Sequence, residues 1–283
     1  MRNAIAVMNT KGGVGKSTLV LAMAETLSAK FGKNVLVIDS DAQASVSLML
    51  LSTVNLHRLQ MEKLTVVDLL VASVLKNEAV DWPRFVLAGV SDVKESRSVY
   101  LIPSDMQLTL FEREVTKEGL LIRLRASVGS FLGYVREMFD IILIDCPPGL
   151  SVLTESWLRE ADFHISPIKP DHISVYALEV LGHFRGLHPE LGFAENLGVL
   201  INLKEAQASE DADYQRRLMK DPVNRCFAQA IPRTIALQQA SQFAPVERSY
   251  GIKYPGDSGK AVLALCEDLL NRLSAANTTG GAA

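Results

Sequence analysis

Apolar residues along this chain follow two periods. Short runs in which nearly every position is apolar, rich in Val, Ile and Leu, fall at residues 3–8 (NAIAVM), 34–39 (NVLVID), 99–103 (VYLIP), 140–145 (DIILID), 163–167 and 197–202. Runs of this length and makeup predict strands buried on both faces. Between them lie longer stretches with helical spacing. These are residues 16–30, with apolar positions at 19, 20, 23, 24 and 27, then most of 45–75, and 120–138, 174–187, 212–220 and 258–273. Residues 226–231 read as a candidate seventh strand. Strands alternating with helices predict an α/β fold, a doubly wound, mostly parallel sheet with helices on both faces. Residues 76–98 are the least regular internal part, and no repeat or long linker breaks the pattern. One domain over residues 1–273 is expected, with a small polar tail at 274–283 expected to be disordered.

Composition narrows the classes. The chain has 283 residues, 48% hydrophobic and 22% charged, as in an ordinary globular protein. Its net charge of −3 is not that of a polycation, so nucleic-acid binding would need a local basic patch. The three cysteines, Cys146, Cys226 and Cys266, stand far apart with no C-x-x-C spacing. That argues against a disulfide framework or a zinc site and fits a reducing cytoplasm. The N-terminal apolar run lacks the cleavage site of a signal peptide, and no apolar stretch reaches membrane-spanning length.

The chemistry begins at residues 10–18, TKGGVGKST. Gly15, Lys16 and Ser17 fit the end of the phosphate-loop pattern G-x-x-x-x-G-K-[ST], but its first position is Thr10, and Lys11 is a second lysine. The turn follows a predicted strand and opens a predicted helix, where backbone N–H groups and the helix dipole attract phosphate oxygens. Gly12, Gly13, Val14 and Gly15 would wrap the phosphates. Lys16 would reach the β- and γ-phosphates, and the Ser17 hydroxyl, next to Thr18, would bind Mg²⁺. Carboxylates at strand ends complete such a site. Asp145 ends IILID, Asp39 ends NVLVID, and Asp41 follows in IDSDAQAS. Alone, each would read as well as a turn or helix cap; beside the loop, in a sheet that binds ligands at its carboxyl edge, they read as functional.

These residues carry a resemblance. KGGVGKST, VIDSDAQAS and IILIDCPPGLS are similar to the deviant Walker A, switch I and Walker B segments of the ParA/MinD family of ATPases. YLIPSDMQLTLFERE, SPIKPDHISVYALEVL and AIPRTIALQQASQFAPV resemble later blocks of ParA-type partition ATPases, so the likeness covers about residues 3–273. It implies ATP and Mg²⁺ as cofactors and a face-to-face homodimer in which Lys11 reaches the partner's ATP. It implies that Lys16 acts with Lys11 on the phosphates, that Asp41 orients the attacking water, and that Asp145 holds the Mg²⁺ shell. Asp39 would support the metal or Lys11. Asn202 stands where an adenine contact is expected, and Pro232 and Arg233 fall in the base-binding loop. Members of the family often read D-x-D-P-Q; here Ala42 replaces the proline, which implies a less rigid switch segment. Slow hydrolysis stimulated by a ParB-like or other partner protein is implied as well.

The resemblance also implies nonspecific DNA binding by the ATP dimer. Residues 214–260 hold eight Lys and Arg against three acids, in an otherwise acidic chain. Arg225, Arg233, Arg248, Lys253 and Lys260 are the candidate contacts, although Ala236 stands where many members have a second arginine. With the loop starting at residue 10, no helix-turn-helix is expected ahead of it, and so no sequence-specific operator binding. A MinD-like membrane helix is disfavoured, because the C-terminal segment carries Glu267 and Asp268 against Arg272 on its polar side. An iron–sulfur reductase on the same fold is disfavoured too, because Cys146 has no second cysteine at a cluster spacing. A nucleotide-switched scaffold without DNA binding stays open. The expected location is the bacterial cytoplasm, at the nucleoid.

Overall fold

Seven strands form one sheet in the order β3-β4-β2-β5-β1-β6-β7. The computed structural model describes residues 2–205 and 209–280. The strands are β1 (Ala4–Val7), β2 (Val35–Asp39), β3 (Leu87–Ala88), β4 (Val99–Ile102), β5 (Ile141–Asp145), β6 (Phe163–Ile168) and β7 (Glu195–Ile201). All neighbours run parallel except β3, a two-residue antiparallel edge on β4. The apolar runs are buried on both sides because alternate residues face different cores. Ile5, Val7, Val35, Val37, Ile141 and Leu143 enter one core, and Ala4, Ala6, Leu36, Ile38, Ile142 and Ile144 the other.

The helices are α1 (Lys16–Phe31), α2 (Ser45–Leu50), α3 (Thr53–Met61), α4 (Val66–Leu70), α5 (Leu108–Lys117), α6 (Leu121–Arg136), α7 (Val152–Glu160), α8 (His172–Leu187), α9 (Ser209–Lys220), α10 (Ile235–Ala240), α11 (Tyr250–Lys253) and α12 (Gly256–Gly280). A single π-helical turn, Val71–Leu75, continues α4. Helix α1 is buried almost all round from Leu19 to Ser28, pressed between the sheet and α12, and Gly32 closes it in the left-handed conformation at φ 62°.

Several expectations change. Residues 226–231 form no strand. Phe227 and Ile231 donate singly to Val199 and Ile201 of β7, too sparsely for a ladder, and the seventh strand is the short β3. The expected disordered tail is helical as far as Gly280, because α12 continues past residue 273; residues 281–283 lie outside the described part. The apolar side of α12 is core: Leu265 and Leu269 are fully buried and Leu273 nearly so. It is therefore not presented to a membrane. Among the described residues no helix is long and apolar enough to cross one. Helices α5 and α7 were not foreseen, although Leu108, Phe111 and Val115 bury at helical spacing and Ser151 caps α7 by accepting from the Thr154 amide.

Candidate functional site

The strand order brings the chemistry together. β1 lies between β5 and β6, and β2 lies beyond β5, so the loop after β1 emerges beside the ends of β2 and β5. Asp39 and Asp145 are register partners at those ends, and Asp145 also pairs with Val7. This is the carboxyl edge where open α/β sheets hold ligands.

The loop is built from buried polar anchors. Asn9, 4% exposed, donates through Nδ2 to the Pro167 carbonyl at 2.5 Å and accepts from the Lys11 amide at 2.8 Å. Gly13 and Gly15 have φ of 75° and 80°, which a side chain would strain. A Cβ on Gly15 would also stand 2.5 Å from Asn202 Nδ2. Asn202 is buried and donates to the Val14 carbonyl at 2.7 Å, so it braces the loop from below while its residue lines the cavity above. The loop ends where α1 begins, and Lys16 is only 7% exposed.

Two hollows meet at Gly13 and Thr18. One, about 480 Å³, is lined by Thr18, Leu19 and Ala22 of α1, by Asn202 and Leu203, and by Pro232, Arg233 and Leu237. Its mix of apolar walls and few polar groups suits a nucleoside. The other, about 290 Å³, is lined by Gly12, Gly15, Lys16, Ser17, Asp41, Gln43 and Pro148. It suits phosphates, with Asp41 among its lining residues.

The two buried strand-end carboxylates differ. Both oxygens of Asp145 are buried without a hydrogen-bond partner. Burial first, and then the Asp39 carboxylate beside it, push its pKa up against the pull of the nearby Ser17 and Lys16. Such an orphaned acceptor fits a hydrated divalent cation, and Mg²⁺ is usually held by one or two carboxylates plus phosphates. Among the described residues there is no cluster of three His, Cys, Asp or Glu that could cage a metal alone. Asp39 is raised by burial as well, but its oxygens are occupied. Oδ2 accepts from the Ser47 amide at 2.9 Å and hydroxyl at 2.6 Å, and Oδ1 from the Asp41 amide at 3.2 Å. Those bonds tie Asp39 to residues 41 and 47, whereas Lys11 is paired with Asp171.

Lys11 finds its partner elsewhere. Its ammonium lies 3.0 and 3.2 Å from the Asp171 carboxylate and 3.3 Å from Ser174 Oγ. Asp171 caps α8, accepting from the Ser174 amide at 2.8 Å. Burial works against its charge, yet the Ser174 amide and Lys11 hold its carboxyl below the ordinary value. The sequence reading does not single out Asp171; its Asp-x-x-Ser spacing could mark a helix start, but nothing local ties it to residue 11.

The basic candidates separate. Lys253 is fully buried, bound to Glu25 and Asp92, and burial removes it from any DNA-binding surface. Arg248 is mostly covered and bound to Asp92. Arg225, Arg233 and Lys260 are exposed, each in a surface pair, with Glu195, Glu205 and Asp257. Cys146 is buried, and burial pushes its thiol well up, which suits a packing residue and not a cluster ligand.

Known proteins resemble this chain over most of its length. A family model described as an AAA domain matches residues 2–187. The chain is 31% identical to an uncharacterised protein of Pseudomonas putida, over 96% of each chain. It is 27% identical to the chromosome partitioning protein ParA of Caulobacter vibrioides, over 95% of this chain and 94% of that one. A crystal structure of a putative plasmid partition protein from Borrelia burgdorferi bound to AMPPNP superposes with a TM-score of 0.73 at 22% identity, covering 96% of this chain and 100% of that one. The sheet order, the loop with its additional lysine and these relatives agree, and the chain belongs to the ParA/MinD family of P-loop ATPases.

Proposed function

We propose that this protein is a Mg²⁺-dependent ATPase that dimerises on ATP, binds nonspecific DNA as the dimer and is released when a partner protein stimulates hydrolysis. The task would be to position or segregate DNA or another cargo at the bacterial nucleoid. The observation that carries the nucleotide half is the pair of hollows joined at Gly13 and Thr18, with the buried, unpartnered Asp145 carboxylate behind Lys16 and Ser17 of the second hollow. ATP–Mg²⁺ would supply a phosphoanhydride whose terminal phosphoryl group can pass to water. Lys16 and the loop amides would neutralise the phosphates, Ser17 and Asp145 would hold the metal's shell, and Asp41 would orient the water. Pro232 and Arg233 would border the base.

The DNA half rests on a smaller surface than the charge count implied, because Lys253 is committed inside the fold and Arg248 is mostly covered by its pair with Asp92. Arg225, Arg233 and Lys260 remain, with the exposed Arg216 and Arg217 of α9. Their surface pairs are worth about 1 kcal/mol or less each, so phosphates could displace the acids. The same pairing supports a second reading, a nucleotide-switched scaffold that meets only proteins. One experiment separates them: binding of nonspecific duplex DNA with ATP, with ADP and without nucleotide, using Asp41→Ala to hold the ATP state across a salt series. Binding only with ATP, weakening steeply with salt, is expected. An intact ATP dimer that ignores DNA would remove the DNA half and leave the scaffold.

A further inference from the structure

We infer that Ser104, just beyond the end of β4, is a positioning residue for Asp41, and that it closes a ring of buried hydrogen bonds which takes the place of the missing proline at Ala42. The inference rests on the reading of Asp41 as the group that orients water.

The ring can be traced atom by atom. The Asp41 amide donates to Asp39 Oδ1 at 3.2 Å. Asp39 Oδ2 accepts from Ser47 Oγ at 2.6 Å. Ser47 Oγ accepts from the Ser104 amide at 3.0 Å. Ser104 Oγ returns to the Asp41 carbonyl at 2.7 Å. Asp39, Ser47 and Ser104 are each fully buried and Asp41 is half-buried, so water competes little for the bonds among the first three and only partly for the two that reach Asp41. Both backbone polar groups of Asp41 are thereby fixed to the sheet, from β2 on one side and from the end of β4 on the other.

The ring acts on the carboxylate through a turn. The Asp41 carbonyl that accepts from Ser104 also accepts from the Ala44 amide at 2.8 Å, which makes residues 41–44 a β-turn with Ala42 at its second position. That is where proline is favoured, since it presets φ. The Asp41 carboxylate stays within the turn, with Oδ1 accepting from the Gln43 amide at 2.9 Å. The neighbouring Ser40 is pinned as well, its hydroxyl accepting from Trp157 Nε1 at 2.6 Å. A side chain that must place one water gains from a backbone held this way.

The test uses Ser104→Ala, Ala42→Pro, their combination, and Asp41→Ala as reference. Ser104→Ala keeps the Ser104 amide bond and removes one hydroxyl. In the nucleotide-free protein, amide hydrogen exchange at Gln43 and Ala44 should accelerate about tenfold, the equilibrium worth of one lost hydrogen bond. With Mg-ATP, kcat should fall about tenfold while ATP affinity stays within about twofold, the split expected when only the reacting group loses its alignment. Ala42→Pro should change little alone and restore most of kcat and protection to Ser104→Ala. Unchanged kcat in Ser104→Ala, or a proline that rescues nothing, would overturn the inference. Turnover persisting in Asp41→Ala would instead overturn the role of Asp41 on which it rests.

Discussion

Replacing Lys253 with methionine tests the separation of buried from exposed basic residues. The Lys253 ammonium lies 2.7 Å from Glu25 Oε1 and 2.6 Å from Asp92 Oδ1. Lys253 and Glu25 have no exposed side-chain surface. Glu25 also accepts from Ser91 at 2.7 Å and Tyr254 at 2.6 Å, and Asp92 keeps Arg248 at 2.9 Å. The lysine thus ties α11 to α1 and to the turn before β4. Removing one partner of a buried pair costs about 3–5 kcal/mol, because the other charge is stranded. Asp92 retains Arg248 and Glu25 retains two hydroxyls, so the lower end, about 3 kcal/mol, is expected. In a chain of this size that lowers Tm by roughly 6–12 °C.

The loss should depend on pH with a definite sign. Burial raises the Glu25 pKa above its ordinary 4.5 even though Lys253 pulls it down. A carboxyl raised in the folded state binds more protons folded than unfolded. Its contribution to stability is full below about 4.5 and is lost as pH rises through the folded value. Without Lys253 the carboxyl rises further. The gap between variant and wild type should therefore be widest near pH 7 and narrow towards pH 5. Denaturant melts at both pH values measure it, with Lys260→Ala as the exposed control, expected within about 0.5 kcal/mol of wild type. Glu25→Gln in the Lys253→Met background should recover part of the loss. A deficit below about 1 kcal/mol, or one that does not change with pH, would refute the assignment of Lys253 to the core.

Gly15→Ala should weaken ATP binding at least tenfold, since a left-handed backbone costs a non-glycine residue about 1–3 kcal/mol and its methyl meets Asn202; nucleotide titration checks it. Asp145→Asn should raise the stability of the nucleotide-free protein by about 1–3 kcal/mol by relieving an unpartnered buried carboxylate. It should also abolish the additional thermal shift that Mg²⁺ adds to ATP; a magnesium effect that persists would remove Asp145 from the metal's shell. Asp171→Asn keeps a helix cap and drops the charge that holds Lys11. Two such pairs would open per dimer at about 0.5–1 kcal/mol each, so the ATP-dependent dimer should tighten roughly 5–30-fold in analytical ultracentrifugation.

What the sequence disclosed follows from how local each signal is. The candidate phosphate loop is contiguous, with its glycines in the turn between β1 and α1 and with Lys16 and Ser17 opening α1. The strand-end aspartates were legible because hydrophobic runs stop at them. What those runs could not disclose is that the Asp39 oxygens are already hydrogen-bonded, since Ser47 lies on the next helix and its own partner Ser104 beyond the next strand but one. Lys253 misled because counting charge along 214–260 cannot distinguish a lysine in GIKYP that folds inward. Its two acids come from residues 25 and 92, far upstream. The expected strand at 226–231 failed for a related reason. The segment is apolar enough to lie against β7, but it meets that strand only at isolated bonds. For Lys253 and for residues 226–231 the misreading lies at long sequence separation, where pattern and composition carry no pairing information.

Lys11 brings these levels together. Its ammonium is satisfied within its own chain by Asp171 and Ser174, at the start of a helix that leaves Ile173 and Tyr176 exposed. One ammonium cannot hold Asp171 with this geometry and also neutralise a partner's phosphate, so on the proposed function the two states compete for it. The pair is about 30% exposed on each side (31% and 29%), neither fully screened nor deeply buried, so opening it costs little. A triphosphate carries more negative charge than one carboxylate and would win only when it is present at close range. Such a weak lock would suit the proposed function: without ATP the lysine would stay folded back on Asp171, and the nucleotide enclosed by the proposed dimer would supply the energy to release it. A stronger, fully buried pair in this position, like that of Lys253, would hold the lysine against ATP as well.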